Sequence, residues 1–285
     1  MPQETGNPQM GKVTVVMPAY NAASTLLRTY EQIPKDVVDE ILLVDDASND
    51  ETVREAANLG IPTLVHPENR GYGANQKTCY TEALRRGADI VVMLHPDYQY
   101  DPTLIPEMIR PIREGEADLV LGSRLLGVDG RQYGMPAYKY FANRFLTSVE
   151  NRSMGTRLSE LHTGYRAYSR KLLTSIPYLR NSDDFVFDSQ VLFQTVAFGF
   201  RIAEISVPCR YMPEASSINF LRSVRYGLST LGVAWHYTLH KNGRIKSPLF
   251  RRDFASMVVL EERESLVSGP DAASGRAAES ESSHE

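Results

Sequence analysis

The sequence predicts an α/β protein built on a mainly parallel sheet with helices on both faces. Three observations point there. Apolar runs of four or five residues recur through the first half, with amphipathic stretches between them. Each run stops at Pro, Asp, His or Gly, the positions where a buried strand meets a loop. The chain of 285 residues, 42% hydrophobic and 23% charged, is long enough to bury a sizeable core. This composition excludes whole-chain disorder, a collagen-like repeat and a disulfide scaffold. Two cysteines, Cys79 and Cys209, are too few for a framework and fit a reducing compartment.

Val13–Met17 is a short apolar run ending at Pro18 and reads as the first buried strand. Ala22–Ile33 puts Leu26, Leu27, Tyr30 and Ile33 on one helical face, with Pro34 as the stop. Ile41–Val44 is the second strand. Asn49 or Asp50 caps a helix to Leu59, closed by Gly60. Thr63–His66, Ile90–Leu94 and Asp118–Gly122 read as strands. Gly73–Arg86 and Thr103–Glu114 read as the helices between them. In the second half, Pro136–Asn151, Asp184–Phe198 and Ser217–His240 look helical, and Thr163–Ser169 and Arg201–Val207 look like strands. Phe220, Leu221, Val224, Leu228, Leu231 and Trp235 fall near helical spacing.

No internal repeat and no Pro/Ser linker divides the chain, so one compact domain is expected. No apolar run approaches the roughly 20 residues that span a bilayer. Met1–Met10 is polar and carries no signal-peptide pattern, so a cytoplasmic protein with a flexible start is expected. The formal net charge of −4 hides an asymmetry. Glu261–Glu285 holds seven acids and two arginines, net −5, which leaves residues 1–260 at +1. That tail lacks hydrophobic periodicity and is expected to be disordered. Lys241, Arg244, Lys246, Arg251 and Arg252 form a basic block within segment 241–260. The block either meets anionic lipid or phosphate, or is a solvated surface segment. With the amphipathic stretch before it, Phe220–Arg252 is a candidate for peripheral contact with the inner face of a membrane. Nucleic acid is not an expected partner, because basic and aromatic residues do not interleave in a stacking pattern.

Ligands of open parallel sheets bind beyond the carboxyl ends of the strands. Those ends carry Pro18-Ala19-Tyr20-Asn21, then Asp45-Asp46-Ala47-Ser48, then Asn69-Arg70-Gly71-Tyr72-Gly73, then His95-Pro96-Asp97-Tyr98-Gln99, and then Gly122-Ser123-Arg124. Asp45 and Asp46 are either acceptors for a base N–H or ribose hydroxyl, or helix caps in competition with Ser48, Asn49 and Asp50. Gly71 and Gly73 either admit a ligand to the backbone or form a simple turn. His95, Asp97 and Gln99 alternate, so in an extended segment they face one way and can share a divalent cation. Mg²⁺ or Mn²⁺ suits such a set when substrate phosphates complete the shell.

These motifs, in this order, resemble family 2 glycosyltransferases with the GT-A fold, and within them the dolichyl-phosphate mannose synthase and polyprenyl-phosphate sugar synthase branch. The likeness runs from about Val13 to about Arg225. It implies a nucleotide-binding half at about 11–125 and an acceptor half at about 126–240. Pro18, Tyr20 and Asp46 fall where that family holds the base and ribose. Asp97 and Gln99 match the second Asp and the Gln of its metal element, and His95 replaces the first Asp. Arg124 matches an arginine near the phosphates, and Arg210 a basic residue near the donor diphosphate. Thr163 and Arg166 lie in a stretch that contributes to the acceptor side. Ala22 and Gln190 stand where acids are common.

The resemblance implies inverting transfer of a sugar from a UDP- or GDP-linked donor to an acceptor, with a polyprenyl phosphate first among the candidates. Metal and arginines would offset charge on the departing diphosphate. A phosphate acceptor is already ionised and needs no base. A hydroxyl acceptor of a soluble sugar or polysaccharide needs one, and Asp188, with Asp183 and Asp184 behind it, is the candidate. The competing reading for Asp188 is a helix-start charge. A nucleotidyltransferase is disfavoured, because no Gly-rich basic loop follows the first strand. A non-catalytic nucleotide-sugar-binding protein remains the other alternative.

Overall fold

The computed structural model describes residues 11–127, 135–208 and 220–251, with side chains of the last segment described from Arg222. The expected flexible start (1–10), the acidic tail (261–285), residues 252–260, Cys209 and Arg210 lie outside the described residues.

Seven strands form one sheet in the order β3-β2-β1-β4-β6-β5-β7. The strands are β1 (Val13–Ala19), β2 (Glu40–Asp45), β3 (Thr63–Val65), β4 (Ile90–Met93), β5 (Leu119–Ser123), β6 (Arg166–Ser169) and β7 (Ile202–Ser206). Helices α1 (Ala23–Glu31), α2 (Thr52–Asn58), α3 (Tyr72–Arg85), α4 (Ile105–Arg113), α5 (Ala137–Met154), α6 (Arg170–Ser175), α7 (Phe187–Ala197) and α8 (Phe220–Lys241) complete the order. The elements expected from sequence are therefore present, with ends displaced by a few residues. The Thr163–Ser169 strand is shorter than expected, because residues 163–165 belong to the loop that leads into it.

All seven residues of β1 are buried, as the centre of a two-faced sheet demands. Its side chains still alternate between faces. Val13, Val15 and Met17 pack with α1, α2 and α4, while Val16 packs with α3 and α7. Strands β1, β2, β3 and β4 are parallel to one another, and β5 is parallel to β7. Strand β6 runs antiparallel between β4 and β5, pairing Arg166 with Met93 on one side and Leu121 on the other. That reversal brings the start of β6 beside the carboxyl ends of β4 and β5.

Asp50 lies one residue before the α2 N-cap, Glu51; its carboxylate accepts from the Thr52 N–H at 3.0 Å, at the first helical residue, and from the Ala23 N–H at 3.1 Å. Asp101, placed just before Pro102, accepts from the Thr103 N–H and starts the short turn into α4. Helix α8 packs through Thr230, Val233, Ala234 and Tyr237, while Val224, Leu228 and Trp235 remain exposed. Among the described residues no helix is long and apolar enough to cross a membrane.

Gly73 shows how closely α3 meets the segment before α7. A Cβ there would lie 2.4 Å from the Ser182 carbonyl oxygen, and the Gly73 N–H donates to the Asp183 carbonyl at 2.7 Å. Gly73→Ala is expected to cost about 1–3 kcal/mol of stability through overpacking. Gly232→Ala, where nothing lies within 4 Å of the new methyl, is expected to be neutral or stabilising by up to about 1 kcal/mol. Urea unfolding of the two variants checks the contrast, and equal midpoints would contradict the packing account.

Candidate active site

The carboxyl ends of β1, β2 and β4 each hold one non-glycine residue in the left-handed region: Asn21 (φ 53°), Ala47 (φ 59°) and Tyr98 (φ 59°). Among the described residues these are the three of that kind. Asn tolerates the conformation, but Ala and Tyr pay for it, and such residues concentrate at functional sites. Each is locked by partners. The Asn21 N–H donates to Ser48 Oγ and its side-chain oxygen accepts from the Asn49 N–H, both at 2.8 Å. The Tyr98 hydroxyl accepts from the Gln32 amide.

The paired aspartates after β2 do two separate jobs. Asp45 is fully buried and accepts from the N–H and hydroxyl of Ser48, closing the turn under Ala47. Asp46 accepts from His66 Nδ1 at 2.7 Å, the Arg70 N–H at 2.9 Å and the Gly71 N–H at 3.0 Å. His66 Nε2 in turn meets Thr78 Oγ1 at 2.9 Å. Asp46 thus braces the 69–71 loop. Gly71 and Gly73 were expected to admit a ligand or to form a simple turn. In the structure they admit the backbone of residues 182–183 instead, since a Cβ at Gly71 would lie 2.8 Å from the Asp183 carbonyl oxygen. Pro18 and Ala19 are buried at the end of β1, and the Tyr20 side chain stands half exposed beyond them.

On the acceptor side the buried groups support a frame. Arg166 is fully buried and donates to the carbonyls of Thr163, Leu161 and Asp188 at 2.8, 3.1 and 3.1 Å. Its guanidinium also lies 3.6 Å from the Asp188 carboxylate. Thr163 is buried and donates its hydroxyl to the Gly122 carbonyl at 2.6 Å. Thr163 and Arg166, expected on the acceptor side, are both buried and hold the loop that carries them. Arg124 is committed in the same way, through its Nε and Nη2 to Glu160 and through Nη2 to the His162 carbonyl. Asn143 donates to Glu160 as well. Burial pushes the Glu160 carboxyl up, but the charge and hydrogen bonds of Arg124, helped by Asn143, hold it below its ordinary range.

Asp188, at the start of α7, is buried with both oxygens engaged. Oδ2 accepts from the Tyr72 hydroxyl at 2.8 Å, and Oδ1 accepts from the Gln76 amide at 3.2 Å. The Tyr72 hydroxyl also lies 3.3 Å from His95 Nε2. The Tyr72 ring stacks on both Phe185 (centroids 4.6 Å apart) and His95 (5.5 Å). Asp183 pairs with Lys77 at 2.7 Å, and Asp184 accepts from the Phe185 N–H. Asp97 is half-buried, and its carboxylate accepts from the Gln99 N–H at 3.1 Å. Among the described residues no group of three or more His, Cys, Asp or Glu side chains could hold a metal ion by itself. The segment expected to be extended is a turn at 96–98, with Tyr98 left-handed, so alternation does not by itself turn His95, Asp97 and Gln99 to one face; one carboxylate flanked in sequence by an imidazole and an amide suits an ion held largely by substrate phosphates. Tyr72, Gln76, His66 and Glu160 went unread in the sequence. Tyr72 is a single tyrosine between two glycines, and the others carry no local motif.

A profile described as glycosyl transferase family 2 matches residues 14–176, more than half of the chain. The chain belongs to glycosyl transferase family 2. It is 28% identical over 204 residues to an undecaprenyl-phosphate mannosyltransferase of Micrococcus luteus, covering 69% of this chain and 82% of that one. It is 26% identical over 207 residues to a polyprenol monophosphomannose synthase of Mycolicibacterium smegmatis, covering 69% and 76%. The glucosyl-3-phosphoglycerate synthase of Mycobacterium tuberculosis, solved with Mn²⁺, UDP and glucosyl-3-phosphoglycerate, superposes with a TM-score of 0.62 over 80% of both chains at 21% identity. That likeness bears out the GT-A fold, and the family makes this glycosyltransferase an enzyme.

The Glu160 shift has a sign that can be read in solution. A carboxyl whose folded pKa is depressed contributes stability above its unfolded pKa, near 4.3 for glutamate, and loses it as pH falls through the lower folded value. Glu160→Gln is therefore expected to be less stable at neutral pH and to show a flatter acid limb. Urea midpoints measured from pH 7 down to pH 3 check this, and parallel profiles for the two proteins would contradict it.

Proposed function

We propose that this glycosyltransferase moves a sugar, with inversion, from a nucleotide diphosphate donor to a polyprenyl phosphate at a membrane surface. The observation that carries the reading is the engagement of Asp188. A carboxylate with one oxygen accepting from Tyr72 and the other from Gln76, beside the Arg166 guanidinium, has both oxygens committed within the protein. A hydroxyl nucleophile would need a base, whereas a phosphate arrives ionised and needs none. The named activities of the Micrococcus and Mycolicibacterium relatives, a mannosyltransferase on undecaprenyl phosphate and a polyprenol monophosphomannose synthase, support the same acceptor class.

The donor lies across the carboxyl ends of β1, β2 and β4. Pro18, Ala19, Tyr20, Asn21 and Ser48 border the base and ribose, and Asp45 and Asp46 hold the two loops that frame them. Gly71 and Gly73 hold the third side against residues 182–183. Asp97, with His95 and Gln99, faces the diphosphate. These residues would hold Mg²⁺ or Mn²⁺, which would supply compensation for the negative charge of the leaving diphosphate. Arg124 sets the 160–162 loop beside the reacting centre, and Arg210 remains a proposed diphosphate contact from the resemblance alone.

Two exposed apolar stripes suit the membrane surface. Helix α5 exposes Tyr138, Phe141 and Phe145, spaced three and four residues apart, and the neighbouring α8 exposes Val224, Leu228 and Trp235. Lys241 ends α8, and Arg244, Lys246 and Arg251 follow it. Each basic residue near an anionic surface adds about 1 kcal/mol, screened by salt.

Transfer assays with polyprenyl phosphate and the matching polyprenol, across UDP- and GDP-sugars, test the reading. Label is expected on the phosphate acceptor and not on the alcohol, and equal labelling of the alcohol would overturn it. Asp97→Asn is expected to lower turnover by about 10²–10³, the scale of a lost charge-stabilising group. Near-parental turnover of that variant would withdraw Asp97 from the reaction. Leu228→Glu combined with Trp235→Glu is expected to abolish pelleting with anionic vesicles at low salt while leaving the unfolding midpoint unchanged. Undiminished pelleting would remove α8 from the membrane contact.

A further inference from the structure

The hydroxyl of Tyr72 stands between two groups that differ in what they can do with a proton. Asp188 is acceptor-only when ionised, and the Tyr72 hydroxyl donates to its Oδ2 at 2.8 Å. A phenol has one hydrogen, so toward His95 Nε2, 3.3 Å away, Tyr72 offers only its lone pairs. The imidazole must then donate from Nε2. In a neutral ring that leaves Nδ1 as the lone-pair nitrogen.

The ring is also fixed in place. Tyr72 stacks on it at an interplanar angle of 20°, and a Cβ at Gly164 would lie 2.8 Å from its Cδ2 and 3.0 Å from its Nε2. Tyr72 is itself backed by Phe185, stacked at 4.6 Å. A histidine whose one ring nitrogen is satisfied by a carboxylate-anchored donor chain is prepared to ligate through the other. Metal-ligating histidines have this arrangement, with the outer hydrogen bond selecting the tautomer and raising basicity.

We infer that Tyr72 is a positioning residue: with Asp188 it fixes His95 as the Nε2–H tautomer, so that Nδ1 serves as a ligand to the divalent cation beside Asp97. The inference rests on the metal-assisted transfer proposed above, but its first readout does not require transfer. Asp188 then works through Tyr72 and His95 and not as a base toward the acceptor.

The test uses the full chain with ¹⁵N-labelled histidine at a pH where imidazole is neutral, without donor or acceptor. Long-range proton–nitrogen spectra report the tautomer of each ring, and His95→Gln identifies the His95 signals by their loss. The parent is expected to show Nε2–H at His95, and Tyr72→Phe, which keeps the stacked ring, is expected to lose that preference. Mn²⁺ binding, read from the free-ion electron paramagnetic resonance signal in the presence of UDP, is expected to weaken about 10–100-fold in Tyr72→Phe. An Nδ1–H tautomer in the parent would overturn the assignment. So would a tautomer, or an Mn²⁺ affinity, that Tyr72→Phe leaves unchanged while its unfolding midpoint stays parental. Because the tautomer is read without substrates, its failure leaves the glycosyl-transfer reading standing, and failed transfer by the parent leaves the tautomer result standing.

Discussion

The rest of the site depends on one buried cation. Arg166 carries a guanidinium that is always charged into a place with no solvent, where an uncompensated charge would cost several kcal/mol. Its compensation comes from the carbonyls of Leu161, Thr163 and Asp188 and the carboxylate of Asp188. Burial works against the charged form, but Asp188 and the phenols of Tyr168, Tyr72 and Tyr80 outweigh it and raise the pKa further. Satisfying this one side chain fixes the 161–163 loop, the start of α7 and the direction of the Asp188 carboxylate together. Strand β6 must run antiparallel for this to happen, because only its first residue lies level with the carboxyl ends of β4 and β5. The one reversed strand in the sheet therefore serves the site.

Around that anchor the strand ends are stiff. Asp45, Asp46 and Asp50 each spend their oxygens on backbone N–H groups or side-chain donors; Asp45 closes its own turn, while Asp46 and Asp50 tie together loops distant in sequence. For Asp50, burial is outweighed by the Thr52 hydroxyl and the Ala23 N–H, which keep its carboxyl below the ordinary range. Carboxylates used this way set loop shape to within a hydrogen bond's tolerance. They also hold Asn21, Ala47 and Tyr98 in conformations these residues would leave if the partners were absent. The donor proposed to bind here would meet a surface whose polar groups are already oriented, leaving little reorganisation for the transition state.

The fold was legible because a buried parallel strand announces itself: four or five apolar residues, then a residue that cannot continue. The strand ends followed from the same reading, and with them Tyr20, Asp46, His95 and Asp97. Partnership was not legible. Nothing in a lone Tyr between two glycines says that it will reach Asp188 across 116 positions, and nothing in Asp45-Asp46 says that one carboxylate turns down to Ser48 and the other across to Arg70. Gly71 and Gly73 were read as room for a ligand or a plain turn when they are room for residues 182–183. Local sequence reports which groups a loop carries. Which of them face a substrate depends on long-range contacts that take up the others first.

The same logic explains why α5 and α8 sit where they do although their outer faces are apolar. Glu150 of α5 is fully buried, and among the described residues its oxygens make no hydrogen bond. His162 Nε2 lies 3.1 Å from Glu150 Oε2, and His162 Nδ1 lies 2.7 Å from the Tyr226 hydroxyl of α8. A polar chain of this kind is costly unless every member keeps its place, so it selects one docking of the two helices over the alternatives that sliding apolar surfaces allow. His162 also gives its carbonyl to Arg124, and Arg166 holds the carbonyls on either side of it, at Leu161 and Thr163. The helices with exposed Phe141, Phe145, Leu228 and Trp235 are thus joined through His162 to the loop that Arg166 anchors. Whatever seats those helices is registered, through His162, Arg124 and Arg166, to the carboxyl end of the sheet, where transfer is proposed to take place.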